Sequence, residues 1–158
     1  MSEEKNLKPA KTVYKSLCDM LDERKWHYER HDEDLTITCG VQGEDLPIEL
    51  IIRVDAQRDL VSLLSPMSFA VPENRRAALA VAVSQANNGM IDGNFDYNYL
   101  NGKIAFRQTS SYRNSLISKE LLWYMIACAC NTIDNYNDKF LMVAKNNMTN
   151  EEILEFIK

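Results

Sequence analysis

Between Trp26 and Phe69 the chain passes through four extended segments with no helical stretch between them, and this succession limits the fold more than any other feature. Trp26, Tyr28 and Arg30 alternate with His27, Glu29 and His31, and Asp32-Glu33-Asp34 marks a turn. Leu35, Ile37 and Cys39 then alternate with Thr36 and Thr38. After a glycine-containing loop, Pro47 leads into IELIIRVD, which places Ile48, Leu50, Ile52 and Val54 on one face. LVSLLSPMSF, from Leu60 to Phe69, is the fourth segment. A period of two means strands covered by a core on one side. Strands joined by short turns pair antiparallel, because a parallel return needs a crossover of a dozen or more residues. Ile51, on the second face of IELIIRVD, marks that strand as central.

Helical spacing brackets this block. From Pro9 to about Arg24, apolar residues at Ala10, Val13, Tyr14, Leu17, Met20 and Leu21 form one stripe. Val71-Pro72-Glu73-Asn74 starts a second helix, which ends near Asn88-Gly89. FDYNYL and KIAFRQTSS flank Asn101-Gly102, the dipeptide suited to a two-residue hairpin turn with positive φ at both positions. Ser118 opens a third helix running to about Asn146, and Thr149-Asn150-Glu151-Glu152 caps a short last one. The expectation is an α+β fold: a mostly antiparallel sheet of about five or six strands, with helices packed on one face. A chain of 158 residues suits one domain, here residues 9–158, preceded by a flexible polar N-terminus over residues 1–8.

Charge and motif content narrow the function classes. With 18 Lys and Arg against 23 Asp and Glu, and no basic run longer than a pair, nucleic acid is not the expected partner. The longest apolar run, Leu121 to Cys130, is half of the roughly 20 residues a membrane span needs. MSEEKNLKPAK has no apolar segment that would make it a signal peptide, so a cytoplasmic protein with reduced cysteines (Cys18, Cys39, Cys128, Cys130) is expected. No GxSxG, HExxH, GxxxxGK[ST] or GxGxxG occurs. His27-x-Glu29-x-His31 has zinc-binding residue types on one strand face, but successive same-face positions lie about 6.5–7 Å apart, too far to share one ion. Asp92-x-Asn94-x-Asp96-x-Asn98 imitates the start of a calcium loop, yet Tyr97 and Lys103 stand where glycine and a bidentate acid are required. Cys128 and Cys130, two apart on a helix, point away from each other. No catalytic residue, cofactor or metal is therefore assigned, and the chain is read as a non-enzyme.

Two helices carry more apolar surface than a sheet-covering layer needs. Ala77 to Val83 and Leu121 to Cys130 are apolar all round, whereas a helix with its back to water shows one stripe. Either neighbouring helices of the same chain cover the second face, or another chain does. In the second case Leu79, Val83, Leu122 and Ile126 are the candidate dimer or partner surface.

From Trp26 onward the pattern resembles the YbjN family of bacterial sensory transduction regulators. The resemblance rests on Trp26 with Tyr28, IIRVD, and Phe69-x-Val71-Pro72-Glu73 with Arg76 and Leu79. It continues with Asn87 or Asn88, Gly93-x-Phe95-Asp96, Gly102-x-Ile104-x-Phe106-Arg107, Leu116-x-Ser118-x-Glu120-Leu121 and Asp134-x-Tyr136. It implies a fold like that of type III secretion chaperones and brings no catalytic residues with it. The function expected is a non-catalytic protein-interaction module, chaperone-like and regulatory, acting as a homodimer with a protein partner. The alternative is a small-molecule or metal-binding domain, catalytic or not, without a recognisable motif.

Overall fold

A computed structural model describes residues 2–158, with side chains from residue 6 onward. Its elements in order are α1 (Ser2–Glu23), β1 (Glu29–His31), β2 (Thr36–Gln42), β3 (Pro47–Asp55), β4 (Leu60–Ala70), α2 (Arg76–Asn87), β5 (Asn94–Asn98), β6 (Lys103–Ser111), α3 (Lys119–Lys145) and α4 (Asn150–Phe156). The strands form one six-stranded sheet in the order β1-β2-β3-β4-β6-β5, and every pairing is antiparallel. This is the α+β architecture the period changes imply.

One parity of each strand faces the core. Ile37 and Cys39, then Ile48, Leu50, Ile52 and Val54, then Val61 and Leu63, then Ile104 and Phe106 are all buried. They form one cluster with Leu17 and Leu21 of α1, Leu79 and Val83 of α2, Phe140 of α3 and Ile153 of α4. All four helices therefore lie on the same side of the sheet. Helix α3 crosses β3, β4 and β6 with α1 on one flank and α2 on the other, and α4 packs on α2. Burying a side chain such as Phe140 or Leu122 in this layer contributes roughly 2–3 kcal/mol each.

Four local expectations are revised. Helix α1 begins at Ser2, seven residues before Pro9, which sits inside it. Proline forfeits only its own N–H bond to the carbonyl four residues back, and one missing bond does not end a helix already packed downstream. Strand β1 has three residues rather than six, since Trp26 and Tyr28 pack onto the core before the ladder begins. Helix α2 is preceded by a 3-10 turn over Glu73–Arg75.

The fourth revision concerns the hairpin. The β5–β6 connection is a four-residue turn, Tyr99 to Gly102, and not a two-residue Asn-Gly turn. Only Gly102 has positive φ (+73°), and its N–H donates to Asn98 O at 2.8 Å. The carbonyl of Gly102 accepts from Val71 N at 2.8 Å, and a Cβ on it would stand 2.2 Å from Val71 O. Arg76 completes the joint by donating to Val71 O and Leu100 O at 3.3 and 2.7 Å.

The outer edge of β5 is closed by one side chain. Asn87, the last residue of α2, donates from Nδ2 to Phe95 O at 3.0 Å and accepts from Phe95 N at Oδ1 at 2.8 Å. Its amide stands in for the next strand and satisfies both backbone groups of a buried residue. Asn88 is exposed, so of the two adjacent asparagines Asn87 carries this role. Asn87→Ala is expected to lower unfolding free energy by about 2 kcal/mol in urea titration, the cost of orphaning two backbone groups. Asn88→Ala should stay within about 0.5 kcal/mol of the parent, and equal effects from the two would refute the assignment.

Candidate interaction surface

The residues proposed as a dimer or partner surface do not form one. Leu79, Val83, Leu122 and Ile126 are 0%, 5%, 1% and 1% exposed within this one chain. Helix α2 is covered by α3, α4 and β5, and α3 lies between α1 and α2 on the sheet. The second apolar face of each helix is thus used inside the chain. Side chains already packed in one chain's core are not available to another.

The candidate chemical sites also come apart. His27 lies before β1, while Glu29 and His31 are exposed on it, with a His31 ring nitrogen 3.2 Å from the Thr38 hydroxyl. His27 and Glu29, but not His31, border a shallow hollow of about 470 Å³ with Thr38, Gly40 and Glu49. Among the described residues no three His, Cys, Asp or Glu side chains group closely enough to hold a metal ion. In the calcium-like stretch, Asp96 pairs with Arg107 at 2.6 Å and Asp92 accepts from the Tyr124 hydroxyl. Two carboxylates with fixed protein partners, on an edge strand and the loop before it, do not make a loop around an ion.

All four cysteines are free. Cys128 and Cys130 are half-buried, and Cys130 packs against the core. Burial pushes the thiols of Cys39 and Cys130 up to about 11, and burial raises that of Cys18 as well. A thiol held protonated at neutral pH is a poor nucleophile. At pH 7.5, Cys39 and Cys130 in the native protein should alkylate on the order of 100-fold more slowly than in urea, read by peptide mass mapping. Rates matching the unfolded chain would overturn the buried placement.

What the fold leaves open is the other side of the sheet. The register lines up Glu29, Thr38, Ile51, Leu64, Arg107 and Asn94 across all six strands. The next row holds Thr36, Arg53, Ser62 and Thr109. Among the described residues no helix lies over these positions, because the helices all share the core on the opposite face. Ile51 and Leu64 are half-buried and form an apolar centre in a rim of hydroxyls and charges, of which Arg107 is paired with Asp96. Both edges are blunted, β1 by its brevity and charge and β5 by Asn87. The alternation singled out Ile51 but not Leu64, whose run of apolar neighbours hides its parity.

The residues that carry the family resemblance are mostly structural joints. Gly93 has φ +78°, and a Cβ there would stand 2.4 Å from the Phe106 ring. Phe95 meets Phe106, Tyr136 and Phe140 edge-on, with centroids 4.9–5.6 Å away. Asp134 Oδ1 accepts from Glu44 N at 2.9 Å and so ties α3 to the β2–β3 loop. Arg75, next to Arg76, donates twice to Val143 O at 3.2 and 2.9 Å, which places a cation at the carbonyl end of α3.

A family model, YbjN, described as "Putative bacterial sensory transduction regulator", matches residues 14–142. None of the curated proteins matches the chain in sequence. Among solved structures it is similar to YbjN from E. coli, with TM-score 0.56 and 14% identity over 90% of this chain and 89% of that one. It is similar to a chain of the ExsC–ExsE complex at TM-score 0.54 and 12% identity, covering 82% and 93% of the two chains. It also matches a chain of the HopA1–SchA chaperone–effector complex at 0.53 and 17%, covering 85% and 97%. Identities this low speak for the fold, and the chaperone-like architecture is the shared feature.

Proposed function

The chain belongs to the YbjN family, and on that premise we propose that it is a non-catalytic protein-binding module of chaperone-like build, regulatory in role, cytoplasmic and homodimeric. The observation that carries the reading is the division of the sheet into a face sealed by four helices and a face with no cover. A flat surface with an apolar centre and a polar rim has the make-up of a reusable protein contact. It has little of a small-molecule site, which is concave and mostly apolar. Structures of the same fold include complexes named for a chaperone with its effector, which is the kind of task assigned here. No helix among the described residues is long and apolar enough to cross a membrane.

The reading is tested by a photo-crosslinking residue at Leu64, with Gln57 in the exposed β3–β4 turn as control. In cells, position 64 should give an adduct of discrete mass that Ile51→Lys reduces at least tenfold, while position 57 gives none. Equal labelling at the two positions, or none at 64, counts against the open face as the binding surface. Light scattering at micromolar concentration should give twice the 18.2 kDa chain mass, and a strictly monomeric protein removes the homodimer.

A further inference from the structure

With the apolar helices used up in the core, self-association needs another surface, and two hollows on opposite flanks of the helical layer match each other. One lies on the outward face of α1, where Leu7 is 39% exposed beside Lys8, Lys11, Thr12 and Lys15, in a depression of about 470 Å³. Helical spacing puts the three lysines in one row, at i, i+3 and i+7. Lys15 pairs with Asp19, while among the described residues neither Lys8 nor Lys11 forms an ion pair. Lys8 and Thr12 also border a larger cleft of about 920 Å³, shared with Pro9, Val13, Tyr112 and the 89% exposed Leu116.

The second hollow lies along α4 and measures about 740 Å³. Met148 and Phe156 form its apolar floor, and Glu151, Glu152 and Glu155 surround it. Glu152 is engaged in the capping box with Thr149, and Glu155 meets Lys158 at 2.6 Å. Glu151 has no ion-pair partner among the described residues, and Leu154 on the same short helix is 41% exposed. One hollow is therefore apolar with a basic rim and the other apolar with an acidic rim, in a chain whose net charge of −5 makes a basic row conspicuous.

We infer that the two hollows meet between copies, the Lys8–Lys11–Lys15 face of α1 in one chain seating on the Glu151–Glu155 face of α4 in a second. With the two helical layers face to face about a two-fold axis running along the helices, each α1 meets the partner's α4, and the contact is made twice. Leu7 and the rim of the Leu116 cleft then supply apolar area, and the opposed charges set register and discourage other pairings. The inference rests on the homodimeric half of the proposed function and leaves the outer sheet face free for a different protein.

Charge reversal tests it directly. Lys8→Glu with Lys11→Glu makes α1 and α4 both acidic, whereas Glu151→Lys with Glu155→Lys makes both basic. The four positions are exposed, and the α4 cap is untouched. Circular dichroism should show both variants folded, and in sedimentation velocity each should dissociate at least tenfold more readily than the parent. An equimolar mixture should reassociate, because in the mixed dimer both contacts regain opposite charge. A parent dimer unaffected by either variant overturns this interface while self-association stands. Variants that fall apart but do not reassociate when mixed overturn the pairing. A monomeric parent, as expected if the basic face takes an acidic segment of another protein, overturns both the interface and the homodimer.

Discussion

The structure depends on the double cover of α3. Its buried residues, from Leu122 through Ile126, Ile133 and Phe140 to Val143, run the length of a 27-residue helix. A helix apolar on more than one stripe cannot lie on a sheet with its back to water. The solution here is lateral: α1 and α2 stand on either side of it, and the sheet lies beneath. That arrangement draws every helix to one face and leaves the other uncovered. The open surface is thus a consequence of how the core was closed.

Closing the α2 flank takes more than apolar packing. The order β4-β6-β5 puts the longer and more buried β6 against β4 and pushes the short β5 to the edge. An edge strand beside a helix leaves backbone groups unpaired in a half-buried place, which costs free energy unless something answers them. Asn87 answers Phe95, Gly102 allows Val71 to approach, and Arg76 fastens the turn. Arg75 secures the far end of α3. Several of the residues that carry the family resemblance, Val71, Arg76, Phe95 and Gly102 among them, take part in these joints.

The function proposed above rests on surfaces. The imidazoles are exposed and apart, the carboxylates of the calcium-like stretch have partners, and burial holds three thiols protonated. The uncovered sheet face and the two oppositely charged hollows lie on different sides of the molecule's layers. One protein partner and one second copy can be accommodated without competing for the same residues.

The elements were legible because each announces itself locally: a period of two in β3, a stripe in α1, Ser118 and Thr149 as caps for α3 and α4. At Asn101-Gly102 the dipeptide reports only that positive φ is available, while the paired Asn98 and Lys103 decide how many residues lie between the strands. The apolar helices show the same limit. Spacing and hydrophobicity are enough to require that Leu79, Val83, Leu122 and Ile126 leave water. What covers them follows from the folded chain, because burial is a property of a residue, whereas the identity of the covering group is a property of distant segments brought together by packing.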